Sequence, residues 1–134
     1  MSYCSCDYDY DPVQMHERRT LKARKSCTCQ ECGRTISSGE EVRSDTFLNE
    51  GRWYRLRTCP ECVAFEAWMT TYIPCFADCL PFGMMFDQAD EAVADLWRET
   101  SGLKFGYLRR KHVIMKRAKA DREIRRSALS GGEK

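Results

Sequence analysis

The residues of this chain best equipped for chemistry are its nine cysteines. Cys29-Gln-Glu-Cys32-Gly33 and Cys59-Pro-Glu-Cys62 form two Cys-x-x-Cys pairs. A two-residue gap lets both sulfurs of a pair reach one tetrahedral ion at about 2.3 Å, and two pairs supply four thiolates. Cys29, Cys32, Cys59 and Cys62 are therefore read as ligands of one structural zinc. Four soft sulfurs leave no open coordination position, so such an ion holds a fold together without activating water. Gly33 follows the first pair where a metal-binding turn calls for a positive φ.

Five further cysteines remain. Cys4 and Cys6 lie in a polar arm, and Cys75 and Cys79 bracket a bend after Pro74. Together these four make a possible second zinc site that pins the N-terminus, with Cys27, His16 or Asp7 as substitute ligands. The expected cofactor is thus zinc, one ion or two. The odd cysteine count, and a start with neither a basic n-region nor an apolar h-region, favour metal ligation in a reducing compartment over disulfides.

Other chemistries find little support. The chain has only two histidines, His16 and His112, which rules out three-histidine zinc catalysis. Asp7, Asp9 and Asp11 alternate with tyrosines, but the glycine and distal glutamate of an EF-hand are missing. There is no Gly-rich phosphate loop, and no nucleophile is spaced against a base and an orienting acid. A non-enzymatic protein is expected.

The elements that must position the cysteines are legible from turn signals and periodicity. Ser38-Gly39 marks a turn, and Val42 to Leu48 and Trp53 to Thr58 flank Asn49-Glu50-Gly51 as a predicted hairpin. Along its second strand, Trp53, Arg55 and Arg57 share one face, the first place to expect contact with something acidic. From Pro60 the period becomes helical, with Phe65, Trp68, Met69 and Tyr72 before Pro74. Asp87 is read as the cap of a helix with an Ala89, Val93, Leu96 and Trp97 stripe. Gly106 reads as a break, and Tyr107 to Leu129 as one long basic helix with a narrow packing stripe of Val113, Arg117, Ala120 and Ile124.

A zinc turn, a hairpin and a helix carrying the second ligand pair resemble a treble-clef zinc finger over residues 27 to 73. The expected fold class is α+β: a small zinc-stabilised, treble-clef-like domain with additional C-terminal helices. Residues 1–26 would be an N-terminal arm, 27–106 the zinc-binding domain with its following helix, and 107–134 a basic helix and tail.

The 134 residues suit one core, and the mean hydropathy of -0.60 with no long apolar run argues against membrane insertion. The formal net charge is +2 with neutral thiols, and each zinc bound by four thiolates lowers it by about two. Charge is also segregated: residues 61 to 99 hold eight acids against Arg98 alone, whereas residues 107 to 134 hold ten bases against three acids.

The early Cys-x-Cys, the basic Arg-Lys stretch, Cys29-x-x-Cys32-Gly33, Gly39-Glu40, Gly51-x-Trp53, Thr58-Cys59-x-x-Cys62, Val63 with Trp68 and Pro74-Cys75-Phe76 resemble small uncharacterised zinc-binding proteins of bacteriophages and prophages. The resemblance runs to about Tyr107. It implies a viral protein acting in the bacterial host cytoplasm and brings no activity with it. Two functions are expected from the charge pattern. One is nucleic-acid binding, as a regulator, through Arg109, Arg110, Lys116, Arg117, Lys119, Arg122 and Arg126, with Arg55 and Arg57 in support. The other is an inhibitor or adaptor that binds a bacterial host or defence protein.

Overall fold

The computed structural model describes residues 15–73, 76, 83–96, 98, 100 and 102–131. In chain order the elements are β1 (Met15–Lys22), β2 (Cys27–Thr28), β3 (Thr35–Ile36), β4 (Glu41–Asn49), β5 (Arg52–Thr58), α1 (Pro60–Tyr72), α2 (Met85–Leu96) and α3 (Leu103–Gly131). The architecture is α+β, with a three-stranded antiparallel sheet in the order β1-β4-β5 and a small β2-β3 hairpin.

The hairpin β4-β5 turns on Glu50 and Gly51, at φ 52° and 76°. Two successive left-handed residues make the tight turn whose twist matches that of the flanking strands. This fixes a register in which Leu48 faces Trp53, Thr46 faces Arg55 and Ser44 faces Arg57.

Of the N-terminal arm expected over residues 1–26, residues 1–14 lie outside the described residues and Met15–Lys22 forms strand β1. From Met15 to Lys22 this stretch pairs with β4 between Leu48 and Glu41, Arg18 opposite Asp45 and Leu21 opposite Val42. It escapes a hydrophobic-pattern reading because charged residues stand on both of its faces. One face looks to solvent. On the other, Arg18 donates to the buried Asp45 at 2.7 Å, and Arg43 forks onto Glu66 of α1 at 2.8 and 3.0 Å. A bidentate pair of this kind gives geometry as well as energy, and here it sets α1 against the sheet.

Helix α1 begins at Pro60, directly after Cys59, and buries Cys62, Phe65, Glu66 and Met69. Phe65 meets Phe86 of α2 and Tyr107 of α3 with ring centroids 5.0 and 5.9 Å apart. One core therefore runs from the cysteines through Val42 and Met69 to Leu103, Tyr107, Ile114 and Ala118. A boundary at residue 107 would cut through both α3 and this core.

Two helix expectations also change. Gly106 does not break the chain: α3 runs unbroken from Leu103, and a Cβ at Gly106 would stand 2.6 Å from the Trp68 ring. The glycine is there for close approach. The inward stripe of α3 is Leu103, Tyr107, Ile114 and Ala118, while Val113 and Ile124 are 60% and 66% exposed. Helix α2 starts at Met85, two residues before the expected Asp87 cap, and buries Met85, Phe86, Ala89 and Val93. Trp97 lies outside the described residues. No helix among them is long and apolar enough to cross a membrane.

Candidate metal centre

The first cysteine pair sits in the bend between β2 and β3, where Gly33 takes φ 80° and its N–H donates to the Cys29 carbonyl at 3.0 Å. The Cys29 N–H donates to the carbonyl of Arg34 at 2.9 Å, closing the bend. The second pair spans the end of β5 and the first turn of α1. These two places converge: Cys29, Cys32, Cys59 and Cys62 are all buried, with their sulfurs within 4.8 Å of one another.

Their spacing tests whether a metal fits. Cys29 to Cys62 and Cys32 to Cys59 are each 3.8 Å apart, and none of the four forms a disulfide. A tetrahedron with metal–sulfur arms of about 2.3 Å has edges of about 3.8 Å, whereas bonded sulfurs lie about 2.05 Å apart. The four sulfurs are thus set for one metal ion. The Cys59 N–H points at the Cys29 sulfur from 3.4 Å, an outer contact that orients the ligand.

Electrostatics agree with the spacing. Hydrogen bonds from Cys32, Cys59 and Cys62 hold the Cys29 thiol far below its ordinary value. The bonds to Cys29 and Cys32, together with burial, push Cys59 and Cys62 far up. The bond to Cys29 pushes Cys32 up, but those to Cys59 and Cys62 outweigh it, and Cys32 is lowered as well. The four thiols thus do not all ionise by themselves, and a divalent cation is what lets the rest do so.

Around the cysteines lies a shell of charged groups that no sequence pattern marked. Arg34, only 2% exposed, pairs with Glu40 and with Glu61, the latter at 2.7 Å, and donates to the Thr35 carbonyl. Burial disfavours its charge, but the two carboxylates outweigh this and hold the guanidinium firmly protonated. Glu61 also pairs with Arg117 of α3, and Arg125 donates to the Gly33 carbonyl at 3.3 Å. Glu31, inside the first pair, accepts the backbone N–H groups of Gly83 and Met85 at 2.8 and 2.9 Å. It thereby caps α2 in the place expected for Asp87. The only advance signal was a glutamate before the second cysteine of each pair.

The remaining expected site residues divide. Cys4, Cys6, Cys75 and Cys79, with the alternative ligand Asp7, lie outside the described residues. The side chain of His16 does too. Cys27 is a half-buried free thiol in β2 and does not belong to the four-sulfur group. Arg110 stacks over Trp68, 4.2 Å from the ring centroid, and Arg117 is engaged by Glu61. Arg122 approaches Gly33. Arg109, Lys116, Lys119 and Arg126 are exposed on α3. Arg55 and Arg57 line a groove on the sheet, away from the basic residues of α3.

No protein-family model, curated protein or solved structure matches this chain.

Proposed function

We propose that this is a zinc-stabilised, non-enzymatic protein of bacteriophage type that binds nucleic acid in the bacterial cytoplasm, as a regulator. Zinc is the ion favoured by four buried thiolates at tetrahedral spacing. The sequence of knuckle, hairpin and helix-borne second pair supports a treble-clef reading of the module.

The observation that carries the nucleic-acid reading is the separation of two sets of cations. Arg18, Arg34, Arg43, Lys111 and Arg117 each pair with a carboxylate of the fold. Arg55, Arg57, Arg109, Lys116, Lys119 and Arg126 show no such pair among the described residues and stand at the surface, Arg57 partly covered. Unneutralised guanidinium and ammonium groups are what a phosphate backbone requires. Binding of the metal-loaded protein to labelled DNA and RNA oligonucleotides should fall steeply as salt rises. Salt-independent binding, or none at low salt, would remove this reading.

A second reading, an inhibitor or adaptor for a host protein, is favoured by a different observation. Phe105, Leu108, Val113 and Ile124 stand outward on α3, Phe105 at 76% exposure. Exposed apolar side chains ringed by charge are typical of protein contacts. Affinity capture from bacterial cells with and without nuclease separates the two: a partner retained after nuclease supports the second reading.

A further inference from the structure

The solvent face of the sheet carries an open groove of about 680 Å³. Its floor is made by two small hydroxyl residues of the central strand, Ser44 and Thr46. By register Arg19 flanks Ser44 from β1, and Arg57 and Arg55 flank Ser44 and Thr46 from β5. Short side chains in the middle strand and long cationic ones on both neighbours make a trough with basic walls. Arg24 and Lys25 extend the same wall beyond the end of β1, and Glu17, paired with Arg19 at 2.5 Å, is the one acid in the lining. Trp53 continues the Arg55 and Arg57 row, since alternate residues of a strand share a face, and it is 61% exposed.

We infer that this groove binds single-stranded nucleic acid, with the arginines on successive phosphates and a base stacked on Trp53. The inference rests on the nucleic-acid reading above and assigns its site and strand form. Arg55 and Arg57 are spaced by about 7 Å along β5, the same order as the phosphate repeat of an extended strand. An exposed indole beside a cationic trough is the combination used for sequence-tolerant single-strand binding, because unpaired bases offer a π-face that a stacked duplex withholds. The trough is held in shape from the metal side, where the Gln30 N–H donates to the Arg57 carbonyl at 2.7 Å.

The test is fluorescence anisotropy of the metal-loaded full chain with a short labelled oligothymidylate, alone or annealed to its complement, at several salt concentrations. The single strand should bind more tightly than the duplex. R55Q/R57Q should flatten the log–log salt slope by roughly 1.4, two contacts at about 0.7 each. W53A should weaken single-strand binding roughly tenfold while leaving that slope in place. R19Q/R55Q, which changes two exposed side chains, provides the same reading should the Arg57 variant lose metal or thermal stability. Tighter duplex binding, or loss of binding in R109Q/K116Q but in neither groove variant, overturns the groove and leaves nucleic-acid binding standing. No binding of any oligonucleotide at low salt overturns both.

Discussion

Glu61, fixed between two cysteines of the four-sulfur cluster, forms an ion pair with Arg117, which lies 56 residues further along the chain in α3. The same carboxylate reaches Arg34 on its other side. Helix α3 is thus attached to the cysteine knuckle itself. Basic residues of α3 that look like one free cationic surface in sequence are in part internal fastenings.

Replacing the two ends of this pair should have unequal effects. R117Q removes a half-exposed partner and should cost no more than about 1 kcal/mol. E61Q also takes a carboxylate from the buried Arg34, leaving Glu40 to hold it, and should cost about 1–3 kcal/mol. Urea unfolding of both variants, with metal content checked, measures the difference. Equal midpoints would show that Arg34 does not depend on Glu61.

Metal analysis of the purified protein should find at least one tightly bound ion, lost in C32A and in C62A. Either substitution, or a strong chelator, should abolish cooperative unfolding, because ligand geometry and fold are made together. Since Glu31 caps α2 and Glu61 holds α3, the loss should spread to both helices. Limited proteolysis should then cut within α2 and α3. Helices that stay protected after chelation would contradict this coupling.

Acidification should weaken a second fastening. Partial burial opposes charge on Asp90, but hydrogen bonds from Tyr107 and Lys111 prevail and hold its carboxyl below the ordinary value. A carboxyl depressed in the folded state adds stability above its unfolded pKa, and that stability is lost as pH falls through the folded pKa. D90N should therefore be less stable than the parent at neutral pH, with the gap closing below about pH 4. Because both proteins carry the same cysteines, comparing their pH curves cancels the acid sensitivity of the metal site. A gap independent of pH would place the effect of Asp90 in packing.

At Gly106 the sign of a substitution should depend on its neighbour. Alanine is favoured over glycine inside a helix by about 0.5–1 kcal/mol. Here the added methyl would meet the Trp68 ring, and overpacking of this kind costs about 1–3 kcal/mol. G106A should thus destabilise the parent and stabilise a W68A background. Thermal unfolding of the four proteins of this cycle is the check, and stabilisation by G106A in both backgrounds would contradict the close approach.

The cysteine cluster, the hairpin and the start of α1 were legible because each depends on local chemistry. Ligand spacing, a Glu-Gly turn and a proline at a first helical turn need no knowledge of distant residues. Strand β1 was not legible, because Arg18 and its neighbours are charged and their partners Asp45 and Glu66 become apparent only once the chain is folded. The phase of α3 failed for a related reason. Arginines and lysines occupy inward, flanking and outward positions alike, so polarity does not tell which side meets α1. In sequence the acids of residues 61 to 99 show only as a block of charge, yet Glu61, Glu66 and Asp90 each hold a base from another element.

The three-way ring contact of Phe65 with α2 and α3 bears on how this chain can be divided. A fragment ending after Tyr72 would keep all four clustered cysteines. It would also lay bare Phe65 and Met69, and leave Glu31 and Glu61 without the helix end and the arginine they hold. The knuckle-hairpin-helix unit is therefore no transferable cassette: moved into another protein, it would need a replacement for both later helices before it became a stable, well-behaved unit.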